Sequence, residues 1–422
     1  MRIMKNLYIK LLLFLLVTNI SAQQTPAPKQ SNDYTIIGAT AHIGNGEVIE
    51  NSMLVFSKGR ITFIGENNSS NAKKGTVINA ENKHVYPGFI ILNSTLGLGE
   101  IDAVEATVDE DEIGDYLPHV RSIIAYNAES KLVEAIRPNG VLMGQITPLG
   151  GRISGGSSVV QFDAWNWEDA IYKADEGIHI NWPSLFGRRG AANKNYDSDV
   201  DKVATYFNDA TSYLGGTKNK KNLPFEALGG LFSDEKTVYM HANAEKEIVD
   251  AIHFFKNHKV KKMVLVGGLE AYKVTDLLLK YNVAVVLHNP HMRQYMQQQP
   301  YDFQYKMGNE LVSKGLLVSI SGDNRMNSRN LPFYAGTFAA FGLDKEKAVQ
   351  LLTQNPAKIL GIENTVGTLE VGKDATLFIS EGDALDMRTN KLEAAFIQGR
   401  QIKLQSHQTK LWKRYSNKYE SK

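Results

Sequence analysis

Between Val238 and Ser321 short, unbroken apolar runs alternate with helix-periodic segments, and this pattern constrains the fold more than any other feature. Val238–His241, Lys262–Gly267, Val283–His288 and Leu316–Ser321 lack the polar alternation of a half-exposed strand. Between them, Ile248, Ile252 and Phe255 mark one apolar helix face, with Asn243 as its N-cap; Val274, Leu277, Leu278 and Tyr281 mark the next. Strands apolar on both faces and separated by amphipathic helices imply a parallel sheet covered by helices. Four more strands are read at Tyr86–Asn93, Val141–Thr147, Val159–Asp163 and Ile178–Trp182. The expected fold is α/β, a (β/α)8 TIM-like barrel over 86–361, with Asp344–Leu360 as its closing helix. A doubly wound open sheet is the alternative, but no Gly-rich dinucleotide fingerprint follows a strand.

Two β-rich pieces flank this middle. Thr35–Ile37, Ser52–Phe56 and Ile61–Ile64 are strand-like, with turns at Gly44-Asn45-Gly46 and Lys58-Gly59; Gly367–Leu369, Ala375–Ile379 and Ala394–Ile402 repeat the style. Residues 34–85 and 362–405 are therefore expected to form one small β-sandwich from both chain ends, followed by a tail at 406–422. At the N-terminus, Arg2, Lys5 and Lys10 precede the apolar run Leu11–Val17, and Ser21-Ala22 offers small residues for cleavage. That order predicts a secretory signal peptide over 1–22, with a polar linker over 23–33 and export to the periplasm or beyond. The apolar run falls short of the roughly 20 residues of a membrane span, so no stable anchor is expected.

The chain has no cysteine, which excludes a disulfide scaffold, thiolate-bound metal and a Cys nucleophile. Its 47 Lys+Arg balance 45 Asp+Glu, and the three cations of the leader carry the small positive excess. No nucleic-acid footprint remains.

Chemistry in a barrel of this kind sits at the C-terminal strand ends. Here those ends carry Asn93-Ser94-Thr95, Thr147, Asp163, His241, Gly267-Gly268, His288 and Asp323, with His179 inside its strand. Imidazoles and a carboxylate from different strands are a zinc-type donor set. His288 and His291 stand three apart, with Pro290 between them favouring a loop; His84, His119, His253, His258 and His407 fall on helix faces, linkers or the tail.

Several motifs resemble the amidohydrolase superfamily, specifically its imidazolonepropionase-like branch. They are Asn45-Gly46, Gly59-Arg60-Ile61 and Ile64-Gly65 in the first β piece, and Pro87-Gly88-Phe89-Ile90 at the barrel entrance. Asn355-Pro356-Ala357-Lys358-Ile359-Leu360-Gly361 stands at the exit, followed by Gly367, Leu369-Glu370 and Gly372-Lys373-Asp374-Ala375. The resemblance implies a metal-dependent hydrolase of non-peptide C–N bonds. By alignment, the family's strand-four lysine falls near His179, its strand-five histidine on His241, its strand-six histidine on Gly267 and its strand-eight aspartate on Asp323. Its His-x-His pair is replaced by Asn93-Ser94-Thr95, as in a subgroup of exported relatives that the stretch Gly150–Trp165 also resembles. A catalytic zinc needs about three protein ligands. The expected centre therefore holds one divalent ion, zinc foremost, on His241, Asp323 and a third imidazole from His179, His288 or His291, with Asp323 as the base. His288, Asn93, Thr95, Gly267 and Trp182 are the expected substrate contacts.

The Gly150–Ser157 segment reads as a flexible βα connection, although its amides would also suit an anion. Trp165, Trp167 and Trp182 gather near it, as pocket wall or as core. Asp109–Glu112 with Asp115 reads as a solvated loop face, and Arg188–Lys221 as a rim insertion or lid. The functional expectation is an exported hydrolase of a cyclic amide, N-acyl compound or small dipeptide. The alternative is an inactive barrel that binds a ligand or partners an active paralogue. A homodimer is the default assembly.

Overall fold

The apolar runs do become strands, and eight of them curl into one wall. The structure is a computed structural model and describes residues 25–68, 73–187, 190–216, 220–292, 299–322 and 324–420. The leader expected at 1–22 lies outside these residues. Among them no helix is long and apolar enough to cross a membrane.

The first sheet combines both chain ends. β1 (Tyr34–His42), β2 (Val48–Ser57), β3 (Arg60–Glu66), β4 (Thr76–Asn79) and β5 (His84–Pro87) come from the N-terminal side. The barrel strands follow as β6 (Phe89–Ser94), β7 (Val141–Ile146), β8 (Ile153–Gln161), β9 (Ile171–Asn181), β10 (Thr237–Ala242), β11 (Met263–Gly267), β12 (Ala284–Leu287) and β13 (Val318–Ile320). β14 (Leu377–Ser380), β15 (Leu392–Ile397) and β16 (Arg400–Gln401) then return to the first sheet, in the order β16-β15-β14-β5-β1-β2-β3 with β4 beside β1. Its own core gathers Ile36, Leu54, Phe56, Val85, Leu377, Ile379 and Phe396.

The second sheet runs β13-β12-β11-β10-β9-β8-β7-β6. A parallel bridge between Leu92 and Ser321 brings β13 back against β6, so the barrel all but closes. Ile90, Leu92, Met143, Val159, Tyr239, Val264, Val266 and Val286 fill its interior, and Ala357, Ile359 and Leu360 belong to the same cluster. The outward faces, with Ile178, Ile180, Val238 and Met240, pack against the helices through Val203, Phe207, Ile248, Ile252 and Phe255.

One strand departs from the expected repeat. β8 begins at Ile153 rather than Val159 and runs antiparallel to both β7 and β9. The link from β7 to β8 covers only 147–152, whereas a parallel return needs a crossover of a dozen residues or more. Gly150 and Gly151, both at positive φ (80° and 53°), turn the chain there. The Gly/Ser-rich segment is thus a tight reversal and half a strand, not a βα loop.

The reversal also moves Asp163. It lies at the opposite end from the strand-end site, where it pairs with Arg137 and Arg400 and accepts from the Ala27 amide. Trp165, 64% exposed, goes with it and lines a groove with Arg60, Gln398 and Arg400. Trp182 is core: its ring packs on Phe254 and Phe255, and its indole N–H donates to Tyr196. Trp182 is therefore set apart from Trp165. The expected rim insertion contains the helix Tyr196–Gly215, whose Val203, Phe207 and Ala210 are buried in the barrel–helix core.

Candidate functional site

Strand alternation decides which side chains reach the barrel interior. Val238, Met240, Ile178 and Ile180 face the helices, so their neighbours Tyr239, His241 and His179 face inward. β9 and β10 pair with Tyr239 opposite His179, and the two rings stack at 4.5 Å and 3°. Two residues nearer the mouth stands His241. His179 Nδ1 and His241 Nε2 are 2.9 Å apart. His179 is fully buried and His241 half-buried, so the pair runs from the interior to the mouth.

Behind His179 lies a polar chain that sequence reasoning missed. His179 Nε2 is 3.0 Å from Ser157 Oγ, and Ser157 donates to Glu176 Oε1 at 2.6 Å. Gln145 Nε2 donates to the same carboxylate oxygen at 2.6 Å, and the Tyr239 hydroxyl donates to Oε2 at 2.9 Å. The Gln145 amide has one orientation, because its Oε1 accepts from the Asn93 backbone N–H. Three donors facing one carboxyl group are the surroundings of a carboxylate.

These bonds settle the proton positions. The single Ser157 proton goes to Glu176, so Ser157 Oγ accepts from His179 Nε2–H. That leaves His179 Nδ1 as a lone pair, and His241 donates to it through Nε2–H. Burial pushes the Glu176 carboxyl group up, against the lowering by its three donors. Burial, with His241 alongside, holds His179 well below the ordinary imidazole range, so it stays neutral. The signal for this chain was present as polar residues inside apolar strands: Gln145 within Val141–Ile146, and Glu176 just ahead of Ile178.

The mouth is braced from outside. Glu247 accepts from the amides of Asn243 and Ala244 through Oε2, and from Ser184 and Leu185 through Oε1. The loops after β9 and β10 are thereby tied to one helix start.

The other expected site residues take separate places. Asn93, at φ 48°, donates from Nδ2 to Ser321 Oγ, while its Oδ1 is buried without a partner. Thr95 is buried, and its carbonyl accepts from Leu98. At Gly267 a Cβ would lie 2.6 Å from Asn243 Oδ1 and 2.8 Å from His288 Nε2, so His288 fills the space a side chain at Gly267 would take. His291 is exposed and bonds to Thr337 in the outer helix Leu331–Ala340, away from the His179–His241 pair. Asp323 lies outside the described residues.

A shared divalent ion can be tested against this geometry. Two imidazole nitrogens on one tetrahedral zinc stand about 3.3 Å apart, given metal–nitrogen distances of about 2.0–2.1 Å. His179 Nδ1 and His241 Nε2 are close to that spacing, and the Ser157 contact already leaves Nδ1 as the ligating lone pair. The pair fits two corners of a metal site once the His241 proton moves from Nε2 to Nδ1, since Nε2 here donates to His179. Among the described residues no group of three metal-binding side chains forms. The third donor would be Asp323, which sequence places at the end of β13.

Residues 232–402 match the Amidohydrolase family model. No match is found among the curated proteins. Among solved structures, an amidohydrolase from Thermotoga maritima MSB8 is similar at TM-score 0.77 and 23% identity, over 87% of this chain and 99% of that one. A Xaa-Pro dipeptidase with bound methionine is similar at TM-score 0.54 and 14% identity, over 87% and 99%. An adenosine deaminase from Xanthomonas campestris with bound zinc is similar at 0.53 and 12%, over 89% and 93%. The chain thus resembles the Amidohydrolase family over residues 232–402, and its fold is similar to that of a solved amidohydrolase structure.

Proposed function

We propose that this chain is an exported hydrolase of carbon–nitrogen bonds, of the imidazolonepropionase-like kind that lacks the His-x-His pair. Its substrates would be small molecules: a cyclic amide, an N-acyl compound or a small dipeptide. The observation that carries the reading is the His179–His241 pair at the ends of two adjacent parallel strands, backed by a buried carboxylate. A metal or proton-transfer role explains this arrangement; a purely structural barrel gains nothing from burying Glu176.

His179 Nδ1 and His241 Nε2 would hold one divalent ion, with Asp323 as the third ligand and base. Such an ion, when bound, acidifies a water molecule and polarises the scissile carbonyl. Glu176, through Ser157, keeps the His179 proton on Nε2. The unpartnered Asn93 Oδ1 and Asn243 Oδ1 are acceptors for a substrate N–H.

The test is metal content and turnover together. The mature protein, loaded with zinc, manganese or iron in turn, is assayed on lactams, N-acyl amino acids and dipeptides. About one ion per chain, lost with activity in His241→Ala and Asp323→Ala, supports the reading. A protein that binds no metal and is unchanged by chelator is the ligand-binding or paralogue-partner barrel instead.

A further inference from the structure

The C-terminal helix His407–Glu420 has no buried residue. Leu411, Tyr415 and Tyr419 stand four apart on one face, with Trp412 beside them, and Trp412 and Tyr419 are 71% and 66% exposed. A helix of this length is marginal in water when nothing covers it. Its charge is lopsided, with Lys410, Lys413, Arg414 and Lys418 against Glu420 alone.

A second exposed surface has the opposite character. In the rim segment 101–115, Ile101, Val104 and Ile113 are exposed, and Ile113 wholly so. Around them Glu105, Asp109, Asp111, Glu112 and Asp115 are exposed carboxylates. The segment is held in place beforehand. Arg325 pairs with Asp102 and Glu110, Leu149 N–H donates to the Glu110 carbonyl, and Arg152 N–H to that of Asp115.

We propose that the helix 407–420 of one copy docks on the acidic, apolar rim segment 101–115 of a second copy. Aromatic rings cover the exposed isoleucines, and the lysines and arginine meet the rim carboxylates. An anionic lipid surface would also attract such a helix, but residues 34–405 are net acidic and would be repelled from it. The complementary charge is on this chain itself. The helix 407–420 packs beside Lys131–Ile136, into which the rim segment leads through 116–130, so both surfaces occupy one sector of the barrel. A twofold axis through that sector satisfies both contacts at once and closes the assembly as a dimer. The rim segment follows β6 and is tied to Arg325, after β13, on the strand-end side of the barrel.

Sedimentation velocity on the mature full chain tests this. The wild type is expected at twice the monomer mass at tens of micromolar, with the dimer weakening as salt rises. The helix reversal Lys413→Glu with Arg414→Glu, and the rim reversal Asp111→Lys with Glu112→Lys, should each weaken dimerisation at least about tenfold. Combining all four substitutions should restore it. The replaced side chains are exposed, and circular dichroism checks that each variant is folded. A monomeric wild type, a dimer indifferent to both reversals, or failure of the combination to restore pairing would overturn the proposal. So would a wild-type monomer that co-sediments with phosphatidylglycerol vesicles and not with phosphatidylcholine vesicles.

Discussion

His179 and His241 share a 2.9 Å hydrogen bond between neighbouring strands, and only one of their facing nitrogens can hold the proton. Ser157 decides that it is His241 that donates. If the pair is two corners of a metal site, His179→Ala and His241→Ala should each lower zinc affinity by at least about tenfold. Isothermal titration with zinc measures this without a substrate. Unchanged affinity in both variants would remove the pair from the site.

Ser157→Ala tests the proton assignment separately. It leaves both imidazoles in place but removes the acceptor that holds the His179 proton on Nε2. Long-range proton–nitrogen spectra of ring-labelled histidine should show a single Nε2–H tautomer at His179 in the wild type and a mixture in the variant. A wild-type signal from the Nδ1–H form would contradict the assignment.

Glu176 should leave a mark on stability against pH. Its carboxyl group titrates higher in the folded chain than the ordinary 4.5, so the folded state holds this proton more tightly. The contribution is present below about 4.5 and is lost as pH rises through the folded value. Glu176→Gln should therefore gain on the wild type across that window, as read by urea unfolding at a series of pH values. Parallel curves would show that burial does not disturb Glu176. His179 acts on another limb, since its depressed folded value means that stability falls as pH drops below 6.5.

Gly267, at the end of β11, is a packing constraint. It has φ 96°, and an added Cβ would press on Asn243 Oδ1 and His288 Nε2. Gly267→Ala should cost about 1–2 kcal/mol from the backbone alone, with the clash added. A denaturation midpoint equal to the wild type's would show that His288 yields freely.

At the opposite end, Asp163 has two guanidinium partners, the buried Arg137 and the half-buried Arg400, at 3.0 Å each. Asp163→Ala takes the carboxylate from the buried Arg137, while Arg400 keeps Gln161 Oε1 and the carbonyls of Ala27 and Asp163, and should destabilise by about 3–5 kcal/mol. A loss below about 1 kcal/mol would mean that water replaces the carboxylate.

Much of the barrel was legible because a two-sided apolar strand leaves a plain trace. Val238–His241, Lys262–Gly267, Val283–His288 and Leu316–Ser321 all mark true strands, with ends displaced by a residue or two. The third strand was not legible in direction. Period-two patterning says which residues face inward and nothing about which way the chain runs; only the link length before Ile153 carries that information. The inward pair His179 and His241 could be named because strand ends focus the search. The carboxylate behind them could not, because Glu176 meets Ser157, Gln145 and Tyr239 from three other strands. His291 illustrates the converse: Pro290 marked a loop, and the loop turns its imidazole to Thr337 rather than to the mouth.

The reversed β8 also affects how the chain assembles in time. The meander from β7 through β9 joins residues close in sequence, so its closure costs little chain entropy. The first sheet must bring β5 to β14 from opposite ends of the chain. Contacts of such different separation form at different rates. Amides of Val141–Asn181 should gain protection from hydrogen exchange before those of β14 and β15. The segment that breaks the regular repeat is then the seed on which the regular part of the wall is laid down.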